Sequence, residues 1–521
     1  MRAAATRLFG PSGTPRVAIV GAGFGGIGAG VKLKKAGIDT FTIYESSLGV
    51  GGTWWDNTYP RAEVDVNSNL YCYSFKSHRW TRTHAGQVEL QTYLEDTVDE
   101  FGLRPHLRLG VTVRAATWDN ERHVWKVAVD TGSLVEFHAV ISAVGFLNVP
   151  RYPDWPGLED FEGPHFHTAR WEHHHDLSDK TVAVVGSGST ATQVVPAIQP
   201  TVKKLYVFQR EPGWVSPKYE RDLSDEERAL FATAWRRAAD RSRLRWLIEK
   251  SLWGGAMFRP GTKLHGRRQQ ACLDYIAREF ADRPDLREGV TPRYPFPGKR
   301  PIMATTYYPA LKEANVELVP RAVSRLTPTG VVDAEGVERA VDVVVMATGF
   351  RAADYLNRLR IVGRDGLTLQ EHWSGEPRAY LGITVPRFPN FFMLYGPGTN
   401  GGELVSMLEA QADYAVRALK RMRRERLSAI EVRPSFEALW HKWMESKMKG
   451  TSWTMSTNYF KSETGKVVTQ WPSGNLVYGV LTKMLGRISE TSLGVPAVSG
   501  ALSDRDDDGQ EAARPMAVVP S

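Results

Sequence analysis

A glycine turn that occurs twice constrains the fold of this chain more than any other feature. At its first occurrence the apolar run Val17–Val20 leads into Gly21-Ala22-Gly23-Phe24-Gly25-Gly26, and helix-compatible spacing follows. This is G-x-G-x-x-G between a strand and a helix. The first glycine permits the tight turn, the second lets a pyrophosphate reach the backbone, and the third lets helix and strand pack closely. The helix N-terminus adds the positive end of its dipole. A second strand, "DTFTIYE", then ends at Glu45, 24 residues after Gly21. At the second occurrence Val182–Val185 leads into Gly186-Ser187-Gly188-Ser189-Thr190-Ala191, with alanine in place of the last glycine. Its next strand, "KLYVFQR", ends at Arg210, 24 residues after Gly186. The expected fold class is therefore α/β, with two Rossmann-like dinucleotide-binding domains.

The two units carry opposite charges at the same place. A glutamate accepts from ribose hydroxyls and repels a 2′-phosphate; an arginine does the reverse. Glu45 marks the first site for an adenine nucleotide without a 2′-phosphate, and Arg210 marks the second for NADP. One chain with both is the pattern of a flavoprotein that takes hydride from NADPH, so FAD and NADPH are the expected cofactors. Ser189, Thr190 and Gln193 sit at or just after the second turn, placed to bond the phosphates or to hold the nicotinamide end.

The remaining organisation follows from this frame. The FAD domain is expected to be discontinuous, residues 1–148 and 386–493, with the NADP domain at 149–385 and a tail at 494–521. The tail is small, polar and acidic in one patch, and is expected to be disordered. A helical insertion is expected at about 223–290. It opens on a capping box, Ser224 to Glu227, and Phe231, Trp235, Leu244, Leu247, Ile248 and Leu252 fall at helical intervals. Glu403–Met422 reads as a helix with Leu408, Tyr414, Ala418 and Met422 on one face. Two short strands, Ala139–Phe146 and Asp342–Phe350, end in small residues and glycine.

The 521 residues have a net charge of +8. The basic residues are spread along the chain, and the densest run, "KRMRRERL" (420–427), ends the helix just named, so a phosphorylated cofactor explains the charge at least as well as a nucleic acid does. No apolar run approaches the ~18 residues of a membrane span, and the N-terminus lacks the apolar core of a signal peptide. Cys72 and Cys272 belong to no C-x-x-C pair, so reduced thiols in a cytoplasmic protein are expected. His165, His167 and His173–His175 cluster, but no cysteine or carboxylate spacing matches a structural zinc site, and no metal is expected.

With these pieces in order, Phe161-x-Gly163-x-x-x-His167-x-x-x-Trp171 resembles the fingerprint of the type I Baeyer–Villiger monooxygenases. These FAD- and NADPH-dependent enzymes turn ketones into esters or lactones. Glu172 follows where the family usually has Pro or Asp. "GGTWWDNTYPRAEVD" (51–65) is similar to another family block, with Arg61 where Gly or Met is common. "AVGFLNVPRYPDWPG", "YPFPGKRP", "FFMLYGPGTNGG" and "GKVVTQWP" extend the resemblance over most of the chain.

The resemblance implies a C4a-peroxyflavin that attacks a ketone carbonyl, with O2 as co-substrate. It implies Arg300 as the fixed positive charge beside that anion and Asp65 as its partner, with Lys299 joining Arg210 at the 2′-phosphate. Thr53, Trp54 and Asp65 of the aromatic block at 51–65, and Tyr71 just after it, fall to the cofactor side. The fingerprint is implied to be a linker into the NADP domain, so that His167 is no general base. A segment around Trp453 and Tyr459 is implied to close over NADP with one aromatic, for which Trp453 is the candidate. The partners expected are a small ketone and O2, in a monomer or weak homo-oligomer. Two rivals stay open: a monooxygenase of soft nitrogen or sulfur, and an NADPH-dependent reductase that oxygenates nothing.

Overall fold

In a computed structural model, residue 9 and residues 13–356 and 358–493 are described. The expected disordered tail lies outside them.

Two five-stranded parallel sheets repeat one plan. The first runs Phe391–Met393, Ala139–Ser142, Val17–Val20, Phe41–Glu45, Leu107–Leu109. The second runs His165–His167, Val343–Met346, Thr181–Val185, Lys204–Phe208, Val316–Val319. Central strands covered on both faces read as unbroken apolar runs, and all of Val17–Val20 and Val182–Val185 is buried. The match extends to single bonds. Gly21 N donates to Tyr44 O at 2.7 Å and Gly186 N to Phe208 O at 2.9 Å. Ala143 N donates to Val20 O and Ala347 N to Val185 O, at 2.8 and 2.9 Å. The small residues that end the two short strands are thus the floors against which the two glycine turns sit.

A third sheet, antiparallel over Val113–Asp119, Val124–Val129 and Leu134–Phe137, takes Arg360–Val362 as an added parallel strand. Trp118, Trp125 and Phe137 share one core with Ala352, Tyr355, Leu359, Trp373 and Phe388. Residues 352–385, which the sequence division puts in the second unit, therefore pack with the first. The chain returns near 350 instead of 386, because a three-residue strand completes a sheet edge formed far back in the chain.

The helical stretch contains Asp225–Ala232, Ala234–Leu252, Lys263–Glu279 and Pro284–Val290. Its capping box forms: Glu227 N donates to Ser224 Oγ and Ser224 N to the Glu227 carboxylate. Its apolar residues divide: Trp235 and Leu247 are exposed, Leu252 is buried and Ile248 packs beside it, while the Phe231 side chain lies outside what is described. The inward side of Ala234–Leu252 is also charged: Arg241 and Arg245 both bond Glu403, itself 2% exposed, and Glu249 accepts from Leu476 N. Helix Leu404–Glu425 buries Leu408, Tyr414, Ala418 and Met422. Among the described residues no helix is long and apolar enough to cross a membrane.

Candidate active site

The glycines of the two turns have separate physical reasons. Gly21 and Gly186 hold φ of +104° and +138°, and a Cβ on them would meet Ala143 O at 2.7 Å and Ala347 O at 2.2 Å. A Cβ on Gly26 would stand 1.8 Å from Gly21 O. The fold itself demands these glycines. The second glycines are different. Gly23 and Gly188 have ordinary extended backbone; a Cβ on Gly23 would make only van der Waals contact, from 3.5 Å, and one on Gly188 meets nothing within 4 Å. No packing within the protein requires their bareness. It fits a group approaching from outside at a helix N-terminus, as a pyrophosphate does. Gly188→Ala is accordingly expected to melt with the wild type but to bind NADPH tenfold or more weakly, about 1.4 kcal/mol. A calorimetric titration checks this, and unchanged affinity contradicts it.

Glu45 is 8% exposed and turned back to its own loop: Ala22 N and Ser47 N donate to it, each at 2.8 Å. These bonds fix the carboxylate beside the first turn with lone pairs left for a ribose diol. The aromatic block rests on the same turn through Gly51 N and Ala22 O. Thr53 begins the short helix Thr53–Asp56 and is exposed; Trp54 is buried and donates to the Tyr71 hydroxyl at 3.3 Å.

Asp65 and Arg300, 235 positions apart, meet. Arg300 NH2 donates to Asp65 Oδ2 at 3.0 Å, with the arginine side chain 45% and the aspartate 12% exposed. Desolvation alone would lower the guanidinium's pKa; the Asp65 carboxylate more than offsets this and holds it raised. The group is a permanent cation held by one charged hydrogen bond. Phenols ring it. Burial pushes Tyr71 up to about 12 and raises Tyr59 and Tyr395 as well, so all three stay neutral. Tyr395 sits on the Gly-Pro turn and donates to Asn400 Oδ1 at 2.7 Å.

The structure modifies three expectations. Gln193 turns its amide to the aromatic block. It accepts from the Tyr59 hydroxyl at 3.0 Å and donates to Glu63 O at 3.0 Å, and so ties the second helix to the aromatic block. Trp453 does not face the cleft: it is 3% exposed and packs on Phe258, ring centroids 4.2 Å apart. Tyr459, 38% exposed and electrostatically coupled to Arg300 and Asp65, is the open aromatic of that segment. Sequence could not separate the two, because nothing local shows that Phe258 claims Trp453. The fingerprint is more than a linker: His165–His167 is the edge strand of the second sheet. Phe161 is buried in that unit's core, a Cβ on Gly163 would meet Asp342 O at 2.2 Å, and Trp171 packs edge-on to Phe166.

His167 uses both ring nitrogens. Nδ1 accepts from Ala169 N at 3.0 Å, which leaves Nε2–H to donate to Gly349 O at 3.1 Å. This neutral tautomer staples the edge strand to the turn after Val343–Met346. Burial lowers its pKa to about 4, and His84 is lowered likewise, by burial and then by Lys218. The unfolded chain takes up these protons near pH 6.5 and the folded chain only near 4. Stability is therefore full above pH 6.5 and is lost as pH falls toward 4. The stability gap between wild type and His167→Gln should shrink over that window in thermal melts; a gap independent of pH contradicts it.

Ser189 and Thr190 are half-buried at the start of helix Ser189–Ile198, and Arg210 is exposed beyond its strand. Lys299 forms an ion pair with Glu211. Of the histidine tract, His173 bonds Thr58, while Glu172, His174 and His175 bring ligand atoms within 4.8 Å of one another at the surface.

Comparison with known proteins agrees with this geometry. A family profile described as pyridine nucleotide-disulphide oxidoreductase matches residues 18–237. A Baeyer-Villiger monooxygenase of Streptomyces coelicolor is 39% identical over 463 residues, covering 88% of both chains. One of Pseudomonas aeruginosa is 36% identical over 487 residues, 90% of this chain and 89% of the other. Among solved structures, an oxidized steroid monooxygenase bound to NADP superposes with a TM-score of 0.83 at 29% identity, over 92% of this chain and 99% of that one. Cyclohexanone monooxygenase from Rhodococcus sp. Phi1 bound to NADP+ gives 0.81 at 31%, with the same coverage.

Proposed function

The chain belongs to the Baeyer–Villiger monooxygenase family, FAD- and NADPH-dependent enzymes that convert ketones to esters or lactones with O2, and we propose that Arg300, posed by Asp65, is its catalytic cation. When bound, the flavin supplies the reduced centre that meets O2, and NADPH supplies the hydride. The residues of the chain do the rest. Arg300 stays protonated at every working pH and directs N–H donors at the negative charge that develops on the ketone oxygen as the carbonyl becomes tetrahedral. Asp65 balances that charge and fixes the plane of the fork. Tyr59, Tyr71 and Tyr395 keep their protons, so they put no competing anion beside it.

On this reading the first unit, with residues from about 351 to 493, holds FAD through Gly21, Gly23, Gly26 and Glu45. The second holds NADPH through Gly186, Gly188, Ser189, Thr190, Arg210 and Lys299. Tyr459 takes the place first given to Trp453. A cytoplasmic location belongs to the same reading, supported by Cys72 and Cys272, both buried and unpaired.

The observation that carries the assignment is the Arg300–Asp65 contact. A fixed cation there suits attack by an anion on a carbonyl and does not suit oxygenation of soft nitrogen or sulfur, which needs a protonated oxidant. A disulfide reductase needs paired cysteines, which Cys72 and Cys272 do not form. Asp65→Ala should lower ester formation roughly 30-fold, about 2 kcal/mol. Added to Arg300→Ala it should cost almost nothing further, because the two act as one unit. Product chromatography on both variants checks this; additive losses contradict it.

A further inference from the structure

The second nucleotide site contains an acid that its sequence reading did not use. Glu211 directly follows Arg210, and its main chain is fastened to the glycine turn: Ser187 Oγ donates to Glu211 O at 2.8 Å. Ser187 is the residue between Gly186 and Gly188, so Glu211 is held against the loop that receives the nucleotide. Its carboxylate is ion-paired with the Lys299 ammonium. That ammonium also stands 5.1 Å over the Tyr294 ring. Neither partner is deeply buried, at 37% for the Glu211 side chain and 23% for Lys299, so both remain reachable.

This arrangement is mixed in sign. Arg210 and Lys299 alone would form a site for a dianionic 2′-phosphate. A carboxylate paired with Lys299 does two things. It occupies Lys299, so that a 2′-phosphate must displace it, and it repels that phosphate directly. It is also the group that accepts a hydrogen bond from an unphosphorylated 2′-hydroxyl, the part an acid plays at NAD sites.

We infer that Glu211 is a specificity-determining residue of the nicotinamide cofactor site. Through its ion pair with Lys299 it narrows the preference for a 2′-phosphate and admits NADH as a second hydride donor. The inference rests on the assignment of Arg210 and Lys299 to the 2′ position.

The test uses the FAD-loaded enzyme and two nucleotide fragments, 2′,5′-ADP and 5′-AMP, titrated calorimetrically into wild type, Glu211→Gln, Glu211→Thr and Arg210→Ala. Both Glu211 variants should bind 2′,5′-ADP about tenfold more tightly and 5′-AMP no more tightly than the wild type does. In turnover the KM for NADPH should fall and that for NADH rise. Unchanged affinity for 2′,5′-ADP, or an equal gain for both fragments, overturns the inference. So does weaker binding of 2′,5′-ADP, which would mean that Glu211 serves to hold Lys299 ready for the phosphate. Arg210→Ala separates the levels. If it weakens 2′,5′-ADP while the Glu211 variants change nothing, only Glu211 has been misassigned. If it too changes nothing, the 2′ site itself lies elsewhere.

Discussion

Arg300→Ala is expected to retain FAD and to be reduced by NADPH while forming ester about 10³-fold more slowly. Both parts follow from where Arg300 sits. It belongs to neither glycine turn, so its loss should leave the FAD content measured by absorbance intact. Its guanidinium is the cation paired with Asp65 and ringed by Tyr59, Tyr71, Tyr395 and Tyr459. Removing it leaves Asp65, 12% exposed, as the net charge of the site. The field there then opposes the negative charge that the reaction must place on the ketone oxygen. NADPH consumption should continue, with hydrogen peroxide as the product in place of ester. A variant that makes ester at the wild-type rate would remove Arg300 from the mechanism.

Gly26→Ala is expected to yield no stable FAD-loaded protein, although sequence logic alone would permit it. Alanine at the third glycine is a known variant of this turn, and the second unit of this chain has Ala191 there, fully buried. The first unit is tighter. A methyl on Gly26 would stand 1.8 Å from Gly21 O and 3.3 Å from Ile19 Cγ2. Gly21 is itself held in place, because its N–H is committed to Tyr44 O. Relief would require helix Phe24–Lys35 to leave the strand Val17–Val20, at a cost comparable with the 5–15 kcal/mol by which a domain is stable at all. Absence of a cooperative melt and of bound FAD is the expected result. A variant with normal flavin content would show that the first turn has the slack of the second.

How much of this was legible in the sequence follows the range of the forces involved. Both nucleotide units were readable because turn, helix and charged residue lie within 24 positions and each glycine has a local reason. The Ser224–Glu227 cap and the helix at 404–425 were readable for the same cause. Features decided at long range were not. The return of residues 352–385 to the first unit depends on a pairing of Arg360–Val362 with Ala115–Thr117. The helix Ala234–Leu252 turns a charged side inward because Glu403 lies in wait for Arg241 and Arg245, which no periodicity reveals. The exchange of Trp453 for Tyr459 depends on Phe258, and the pairing of Lys299 depends on Glu211, 88 positions away. Arg300 with Asp65 was reached only through resemblance, since a contact over 235 positions leaves no trace in spacing.

The most direct test of the account is a single turnover with isotopically labelled oxygen. The enzyme is reduced without air by one equivalent of NADPH, then mixed with ¹⁸O2 and a panel of ketones, and the product is analysed by mass spectrometry. The account predicts one ¹⁸O atom in the ester or lactone for each NADPH oxidised, with the second oxygen atom recovered in water. Labelled hydrogen peroxide equal to the NADPH consumed, with no labelled ester from any ketone, would contradict it.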